Sequence, residues 1–339
     1  MSLDENKYKT IKRLGEGSFG EVFLVRHKHL DREEAAKIIK TNKFYRTLQE
    51  AKNIQQLRHK NIIDIYDADI LPDKSGIFMT MEYHPIGSVA NLKFVSRRQL
   101  VEIAIHVLRA LEHAHGKEFI HRDIKPNNIL LNKHQKAILT DFGLSTKVND
   151  VTKAPQYQYK YHIAPEVVTN KEKENFKTDL YALGVTMHRL INGDPGWLKT
   201  MEPDDLNKKI IKGKYPDRTN YRPDISKRLI KVINKALNTN PLKRYQSAKE
   251  MLKEIEKKAI FRYDWGKGRN GWHAAINNIN IKIEMQKRGD LFDIITSKKK
   301  IESGQFRRIT EHCFDRIDET AVENVIRKIM SEIDSGFET

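Results

Sequence analysis

Three short segments that follow one another in a fixed order constrain this chain of 339 residues more than any other feature. GEGSFGEV occupies residues 15–22, HRDIKPNN occupies residues 121–128, and DFG occupies residues 141–143. A glycine-rich run by itself is more often an ordinary turn than a nucleotide site. Each segment could occur by chance, but the ordered set of three is much harder to explain in that way.

The set resembles the signature of eukaryotic-type (Hanks-type) serine/threonine protein kinases. Later parts of the chain add a lysine on the next strand, an APE triplet, an aspartate and an arginine, at Lys37, residues 164–166, Asp179 and Arg244. The resemblance covers about residues 5–258. It implies an α+β, bilobal kinase domain over residues 1–258, with a β-rich N-lobe (about 1–83) and a helical C-lobe (about 84–258). It also implies transfer of the γ-phosphate of ATP to hydroxyl groups of protein substrates.

The net charge of +17 is concentrated on this first part of the chain. Residues 259–339 carry 14 basic and 13 acidic side chains, so +16 of the total lies on residues 1–258. Such a charge fits attraction of ATP, acidic protein substrates or a phosphorylated loop, and it also fits an ordinary lysine-rich surface. The nearly neutral C-terminal part argues against nucleic acid as a partner.

The composition also predicts where the protein resides. There is no run of 18 or more apolar residues, and the polar start MSLDENKYKTIK lacks the apolar stretch of a signal peptide. The single cysteine, Cys313, excludes an internal disulfide. We therefore expect a soluble cytoplasmic protein that has no membrane partner.

Apolar and polar residues alternate on both sides of the first glycine-rich segment, which predicts two antiparallel strands joined by a tight turn. The glycines suit a phosphate-covering hairpin, because side chains would keep the backbone amides away from the phosphate oxygens. The resemblance implies that Lys37 holds the α and β phosphates and that Met81 is the gatekeeper residue. The other ATP-binding positions that it implies are Leu14, Gly15, Gly17, Gly20, Val22, Ala35, Glu82, His84 and Leu130.

A helix is predicted after the Lys37 strand, because apolar residues recur at helical spacing over residues 48–57. Glu50 is the only acidic residue between Lys37 and Asp64. The resemblance implies that Glu50 pairs with Lys37 at the ATP site. The 13-residue gap between them predicts an abbreviated loop before the helix.

The HRDIKPNN segment follows a long stretch of helical periodicity, which places it on a loop. The resemblance implies that Asp123 accepts the proton of the substrate hydroxyl and that Lys125 neutralises charge on the γ-phosphate. It implies that Asn128 and Asp141 bind Mg²⁺, with Mn²⁺ as an alternative. Because every catalytic position holds the usual residue, a kinase-fold scaffold without catalytic activity is disfavoured. The presence of the HRDxK and APE motifs disfavours a small-molecule kinase.

The sequence leaves open which hydroxyl residues of the substrate are phosphorylated and how the activity is regulated. A lysine two residues after the aspartate, here Lys125, resembles the pattern of serine/threonine kinases. Tyr159, however, lies five residues before the alanine of APE, where the family commonly has a threonine. Dual specificity that includes tyrosine is therefore an alternative. Arg122 implies pairing with a phosphate on the activation loop, and Thr152 is the favoured acceptor of autophosphorylation. Further along, Asp179 is expected to fix the catalytic-loop backbone, and Glu166 and Arg244 are expected to form a structural ion pair.

The pattern changes at residue 259. The stretch 279–299 predicts a hairpin with a turn at Arg288–Asp290. A third strand is expected near residues 306–314, and an amphipathic helix is expected from residue 318. Helix, three strands and helix would resemble a double-stranded-RNA-binding domain, but the last helix begins with Asp318 and Glu319 where lysines are expected. We predict a small α+β accessory module over residues 259–339 that docks on the kinase, recruits a substrate or mediates self-association.

Overall fold

The computed structural model describes residues 3–17, 20–142, 146–151, 160–193, 202–219, 221–258, 261–276, 278–300 and 304–335; a few side chains inside these ranges, among them that of Glu50, lie outside the description. The strands are β1 (Tyr8–Gly17), β2 (Gly20–His27), β3 (Arg32–Lys40), β4 (Ile65–Ile70), β5 (Gly76–Glu82), β6 (Phe119–Ile120), β7 (Ile129–Leu131), β8 (Ala137–Leu139), β9 (Thr146–Lys147), β10 (Gly266–Gly268), β11 (Gly271–Ile276), β12 (Ile279–Arg288), β13 (Leu291–Lys300), β14 (Arg307–Arg308) and β15 (Phe314–Asp318). The helices are α1 (Phe44–Gln55), α2 (Arg97–Gly116), α3 (Pro165–Val168), α4 (Phe176–Asn192), α5 (Pro203–Ile211), α6 (Lys227–Ala236), α7 (Ala248–Lys258) and α8 (Glu319–Ser335). The predicted two-lobed α+β architecture with additional C-terminal strands and helix is confirmed.

The N-lobe is a five-stranded antiparallel sheet with the order β1-β2-β3-β5-β4, accompanied by α1. Strand β3 is buried over five consecutive residues because both faces of the sheet are covered. Ala36 and Ile38 face a small core that includes Phe78. Because side chains alternate between the faces of a strand, Ala35 and Lys37 point to the opposite side, where the interlobe cleft lies.

Gly20, the last glycine of the predicted phosphate hairpin, is required for a reason that the sequence did not indicate. Its φ of +132° is rarely adopted by other residues, and a Cβ atom there would lie 1.9 Å from the carbonyl oxygen of Ile38 in β3. Gly15 has no neighbouring atom within 4 Å of such a Cβ atom. Close packing of β2 on β3 therefore accounts for the glycine at position 20.

The C-lobe is organised around α2, which is 20 residues long and begins at an N-cap formed by Ser96. The Ser96 hydroxyl accepts a hydrogen bond from the amide of Gln99, which satisfies one of the free N–H groups of the first turn. Helices α4 and α7 pack on α2, and the chain leaving α2 runs through β6 directly into residues 121–128. Among the helices that the structure describes, none has the length and apolar character required to cross a membrane.

The C-terminal module is an antiparallel sheet with the order β10-β11-β12-β13-β14, in which β15 also pairs with β13, and α8 covers one face. The predicted hairpin is confirmed by β12 and β13. Two short strands, β14 and β15, replace the single third strand that was expected near residues 306–314. The strands β10 and β11 were not predicted. The helix that precedes the module, α7, packs on α2 and therefore belongs to the C-lobe. The described part of the module thus begins with strands, unlike the helix, three strands and helix order of a double-stranded-RNA-binding domain.

The module packs directly against the C-lobe. Phe94, from the segment before α2, contacts the module's core, and its ring lies 6.3 Å from that of Trp272 in an edge-on arrangement. The guanidinium of Arg97 contacts both carboxylate oxygens of Asp334 in α8, at 2.5 and 2.8 Å, and also donates to the carbonyl of Tyr263. These contacts join the start of α2 to α8 and to the segment before β10.

Candidate active site

A cavity of about 440 Å³ separates the two lobes. The sequence-predicted residues that line it are Leu14, Gly15, Val22, Ala35, Lys37, Met81, Glu82, His84, Asn128, Leu130 and Asp141. Gly17, Gly20, Asp123 and Lys125 do not line the cavity itself, and the Glu50 side chain lies outside the described residues. Sequence reasoning missed several lining residues, including Ile63, Met79, Asn91, Asn127 and Thr140. Asn127 lies inside the HRDIKPNN motif and Thr140 immediately precedes DFG, so membership of a motif or proximity to one is the signal that could have identified them.

Lys37 and Asp141 meet in this cleft. The Lys37 ammonium lies 2.5 Å from Oδ1 of Asp141, across a sequence separation of 104 residues. Burial acts to raise the pKa of the Asp141 carboxyl, but the charge and hydrogen bond of Lys37 outweigh it, so the pKa lies below its ordinary value. Asp141 is therefore an ionised carboxylate at neutral pH. The expected pair between Lys37 and Glu50 involves a side chain outside the description.

Asp123, Lys125 and Asn128 form one hydrogen-bonded cluster on the loop after β6. The Lys125 ammonium lies 2.7 Å from Oδ2 of Asp123. The Asn128 amide nitrogen donates to both the main-chain carbonyl and Oδ2 of Asp123, each at 2.8 Å. These contacts fix the orientation of the Asp123 carboxylate and leave its second oxygen for other use.

That second oxygen is a buried acceptor. Oδ1 of Asp123 has no hydrogen-bond partner among the described residues, although the residue is only 3% exposed. Burial raises the pKa of Asp123, and the opposing charge of Lys125 does not cancel the effect. A carboxylate with a raised pKa and an unused acceptor is chemically suited to accept a proton.

The backbone of this loop is held by Asp179 of α4, as the sequence predicted. Asp179 Oδ2 accepts from the amide of His121 and Oδ1 accepts from the amide of Arg122, both at 2.9 Å. The ring of His115 supplies a third contact at 2.9 Å. Burial acts to raise the pKa of Asp179, but the hydrogen bond of His115 and the charges around it lower it overall.

Arg122 has a partner that sequence reasoning missed. Its guanidinium Nη2 lies 2.5 Å from Oε2 of Glu174, and the two side chains are only 9% and 1% exposed. Glu174 belongs to the segment before α4, within an exposed-looking run of lysines and glutamates, KEKEN. The expected phosphate acceptor, Thr152, lies outside the described residues. An acidic group of the chain itself thus neutralises the arginine that precedes Asp123.

We expect Glu174→Gln to lower the free energy of unfolding by about 3 kcal/mol, because it removes the buried carboxylate that pairs with the Arg122 guanidinium. Thermal denaturation of the purified variant measures this effect. The double variant Arg122→Met/Glu174→Leu should recover most of the loss, since it removes both buried charges. A single variant as stable as the parent protein would contradict the stabilising role of the pair.

A second buried ion pair anchors α3 within the C-lobe. Arg244 contacts both carboxylate oxygens of Glu166 at 2.6 Å, and both side chains are almost fully buried. This is the pair that the sequence predicted between the APE triplet and residue 244. Parallel N–H···O contacts of this type fix geometry as well as charge, so α3 is firmly held on the lobe.

The donor atoms at one end of the cleft suit a small divalent cation. Mg²⁺ is bound through carboxylate and other oxygen atoms. Asp141 offers an ionised carboxylate, and both Asn128 and Asp141 line the same cavity. Because the Asn128 amide nitrogen is directed to Asp123, its amide oxygen is the atom that remains for a metal.

Comparisons with known proteins agree with this arrangement. A family model described as the protein kinase domain matches residues 8–255. A probable serine/threonine-protein kinase of Clostridium perfringens is 29% identical over 270 residues, which are 74% of this chain and 38% of that protein. The serine/threonine-protein kinase PrkC of Bacillus subtilis is 27% identical over 266 residues, covering 74% of this chain and 40% of its own length.

A relative from a eukaryote matches at somewhat higher identity. Calcium-dependent protein kinase 4 of Plasmodium falciparum is 34% identical over 225 residues, which are 62% of this chain and 42% of that protein. The chain thus spans about two fifths of the length of these relatives. The region that the family model matches includes the cleft and the loop that carries Asp123.

Proposed function

Because this chain belongs to the protein kinase family, we propose that it transfers the γ-phosphate of Mg²⁺-bound ATP to serine and threonine hydroxyls of protein substrates. The supporting relatives are serine/threonine kinases by name. The observation that carries the proposal is the cluster of Asp123, Lys125 and Asn128 at the mouth of a cleft that also contains Lys37 and Asp141.

In the proposed reaction Oδ1 of Asp123 accepts the hydrogen of the substrate hydroxyl. The hydroxyl oxygen forms a bond to the γ-phosphorus while the bond from that phosphorus to the β–γ bridging oxygen breaks, and ADP leaves. Lys125, which now pairs with Asp123, is positioned to neutralise charge on the transferred group. Because the transition state is loose, positioning and charge stabilisation by these residues supply most of the protein's contribution.

Nucleotide and metal binding follow from the other residues of the cleft. We assign the α and β phosphates to Lys37 and the Mg²⁺ ion to Asn128 and Asp141. When bound, the metal neutralises charge on the phosphate oxygens. The adenine position is assigned to the apolar part of the cavity, between Leu14 and Leu130.

We also propose that the protein phosphorylates its own activation loop, with Thr152 as the first candidate. Since Glu174 already neutralises Arg122, the pairing of that arginine does not depend on a phosphate. Dual specificity that includes tyrosine is the alternative suggested by Tyr159, which lies outside the described residues. Identifying the residues that receive labelled phosphate tests both the autophosphorylation site and the specificity for tyrosine.

The test is incubation of the full-length protein with Mg²⁺ and γ-labelled ATP together with a generic protein substrate. We expect label on serine and threonine, and we expect Asp141→Asn to lose it, because that change removes the carboxylate that pairs with Lys37 and is assigned to the metal. Phosphoamino-acid analysis separates serine and threonine from tyrosine. Nucleotide binding by the parent protein without any transfer would contradict the proposal and favour a scaffold.

A further inference from the structure

A second cavity, of about 630 Å³, adjoins the nucleotide cleft. We call it the basic groove. It is lined by residues 89–95, Pro126 and Asn127 of the catalytic loop, residues 189–193 at the end of α4, Arg222, and Lys267 of β10. Asn91 and Asn127 line both the basic groove and the nucleotide cleft, so the two cavities meet beside the loop that carries Asp123.

The charge of the basic groove has one sign. Its lining includes Lys93, Arg189, Arg222 and Lys267, and none of its described lining residues is an aspartate or a glutamate. Arg222 is engaged by the buried carboxylate of Asp224 at 2.6 Å. Lys93 and Lys267 are exposed, so they present most of the positive charge to an incoming molecule.

Lys267 comes from the C-terminal module, and its position depends on how the module docks. It lies opposite Trp272 in the pairing of β10 with β11, and its ammonium is 6.0 Å from the Trp272 ring. The Arg222 guanidinium lies 4.2 Å from the Phe94 ring and 5.9 Å from the Trp272 ring. This cluster joins the module to the C-lobe and holds Lys267 at the edge of the groove.

We propose that the basic groove binds acidic residues that flank the phosphoacceptor in the substrate protein, and that the module contributes to substrate choice through Lys267. This inference rests on the proposed kinase activity and specifies its substrate class. A segment whose hydroxyl reaches Asp123 from outside the cleft can extend into the groove, because the two cavities share Asn91 and Asn127. Carboxylates complement the cations there, and charge complementarity gives specificity and faster association.

The test compares three synthetic peptides that have one central serine and differ only in the flanking residues, which are glutamate, glutamine or lysine. Phosphorylation by the full-length protein gives kcat and KM for each peptide, and fluorescence anisotropy gives binding without requiring catalysis. We expect the glutamate peptide to have the lowest KM and the tightest binding. Its advantage should shrink as salt is added, since exposed charges are screened.

The decisive variant is Lys93→Glu/Lys267→Glu, which reverses the two exposed charges of the groove. We expect it to raise KM for the glutamate peptide roughly tenfold, with little change in kcat or in KM for ATP, because peripheral charge contacts act on encounter and binding. The matched control is Lys249→Glu/Lys253→Glu, which makes the same charge change at exposed positions of α7. The control should retain the preference for glutamate.

Two results would overturn the inference while leaving the kinase proposal intact: a preference for the glutamine or lysine peptide, or a glutamate preference that survives in Lys93→Glu/Lys267→Glu. If no peptide is phosphorylated, the kinase proposal fails. Fluorescence anisotropy then tests separately whether the groove binds the glutamate peptide. Tight binding of the glutamate peptide that is lost in the double variant would then support the groove. Absent binding, or binding unaffected by the variant, would overturn it.

Discussion

Asp123→Asn is expected to reduce phosphoryl transfer by about a thousandfold, in line with the loss of a general base. The asparagine keeps the size of the side chain and the contacts with Asn128, but it cannot take up the proton at Oδ1. Nucleotide binding should change little, because Asp123 does not line the cleft in which ATP is placed. Steady-state kinetics and a separate nucleotide titration measure the two quantities.

The same substitution should leave the unfolding temperature unchanged or higher at neutral pH. Burial raises the pKa of Asp123 above the ordinary 3.8, so the protonated carboxyl group favours folding at pH values below 3.8, and this contribution is lost as the pH rises through the folded-state pKa. Asparagine carries no charge to bury. A melting curve of Asp123→Asn well below that of the parent protein would show that the activity loss came from misfolding, and the assignment of the base would fail.

The second large effect is expected for Asp334→Ala. It leaves the guanidinium of Arg97, which is 2% exposed, without the carboxylate that it contacts at 2.5 and 2.8 Å. Breaking a buried pair costs about 3 kcal/mol or more, here in the docking of the module on the C-lobe. We expect a lower unfolding temperature and faster proteolytic release of a fragment that ends near residue 258.

Glu323→Ala is the matched control, since it removes a carboxylate from an exposed position of the same helix. It should shift the unfolding temperature by a degree or so at most, because the charge of Glu323 is exposed and its interaction with Arg327 contributes little. If both variants melt and digest alike, the Arg97 pair does not hold the module in place.

The contacts within the catalytic loop were predictable because the residues that make them lie close together in the sequence. Asp123, Lys125 and Asn128 lie within six residues, and their mutual hydrogen bonds require no distant partner. Glu174 could not be found in this way. It lies 52 positions after Arg122 in a run of charged residues that is typical of a solvated surface, and only the tertiary fold buries it.

Secondary structure in the module was also predictable only where the local sequence determines it. The hairpin of β12 and β13 has long apolar alternation and a polar turn, so its sequence predicts it. Strands β10 and β11 have glycines at residues 266, 268 and 271, which weaken any strand signal. They form because the neighbouring β12 supplies hydrogen bonds and because Trp272 is buried in a core that includes Phe94.

The pair between Arg97 and Asp334 also sets an order of events during synthesis. The partners are 237 residues apart, and at about 5–20 residues per second the ribosome needs roughly 10 to 50 seconds to travel from one to the other. Throughout that interval the first turn of α2 carries a cation whose counter-charge has not yet been made. We therefore expect this surface of the C-lobe to stay hydrated until α8 has been translated.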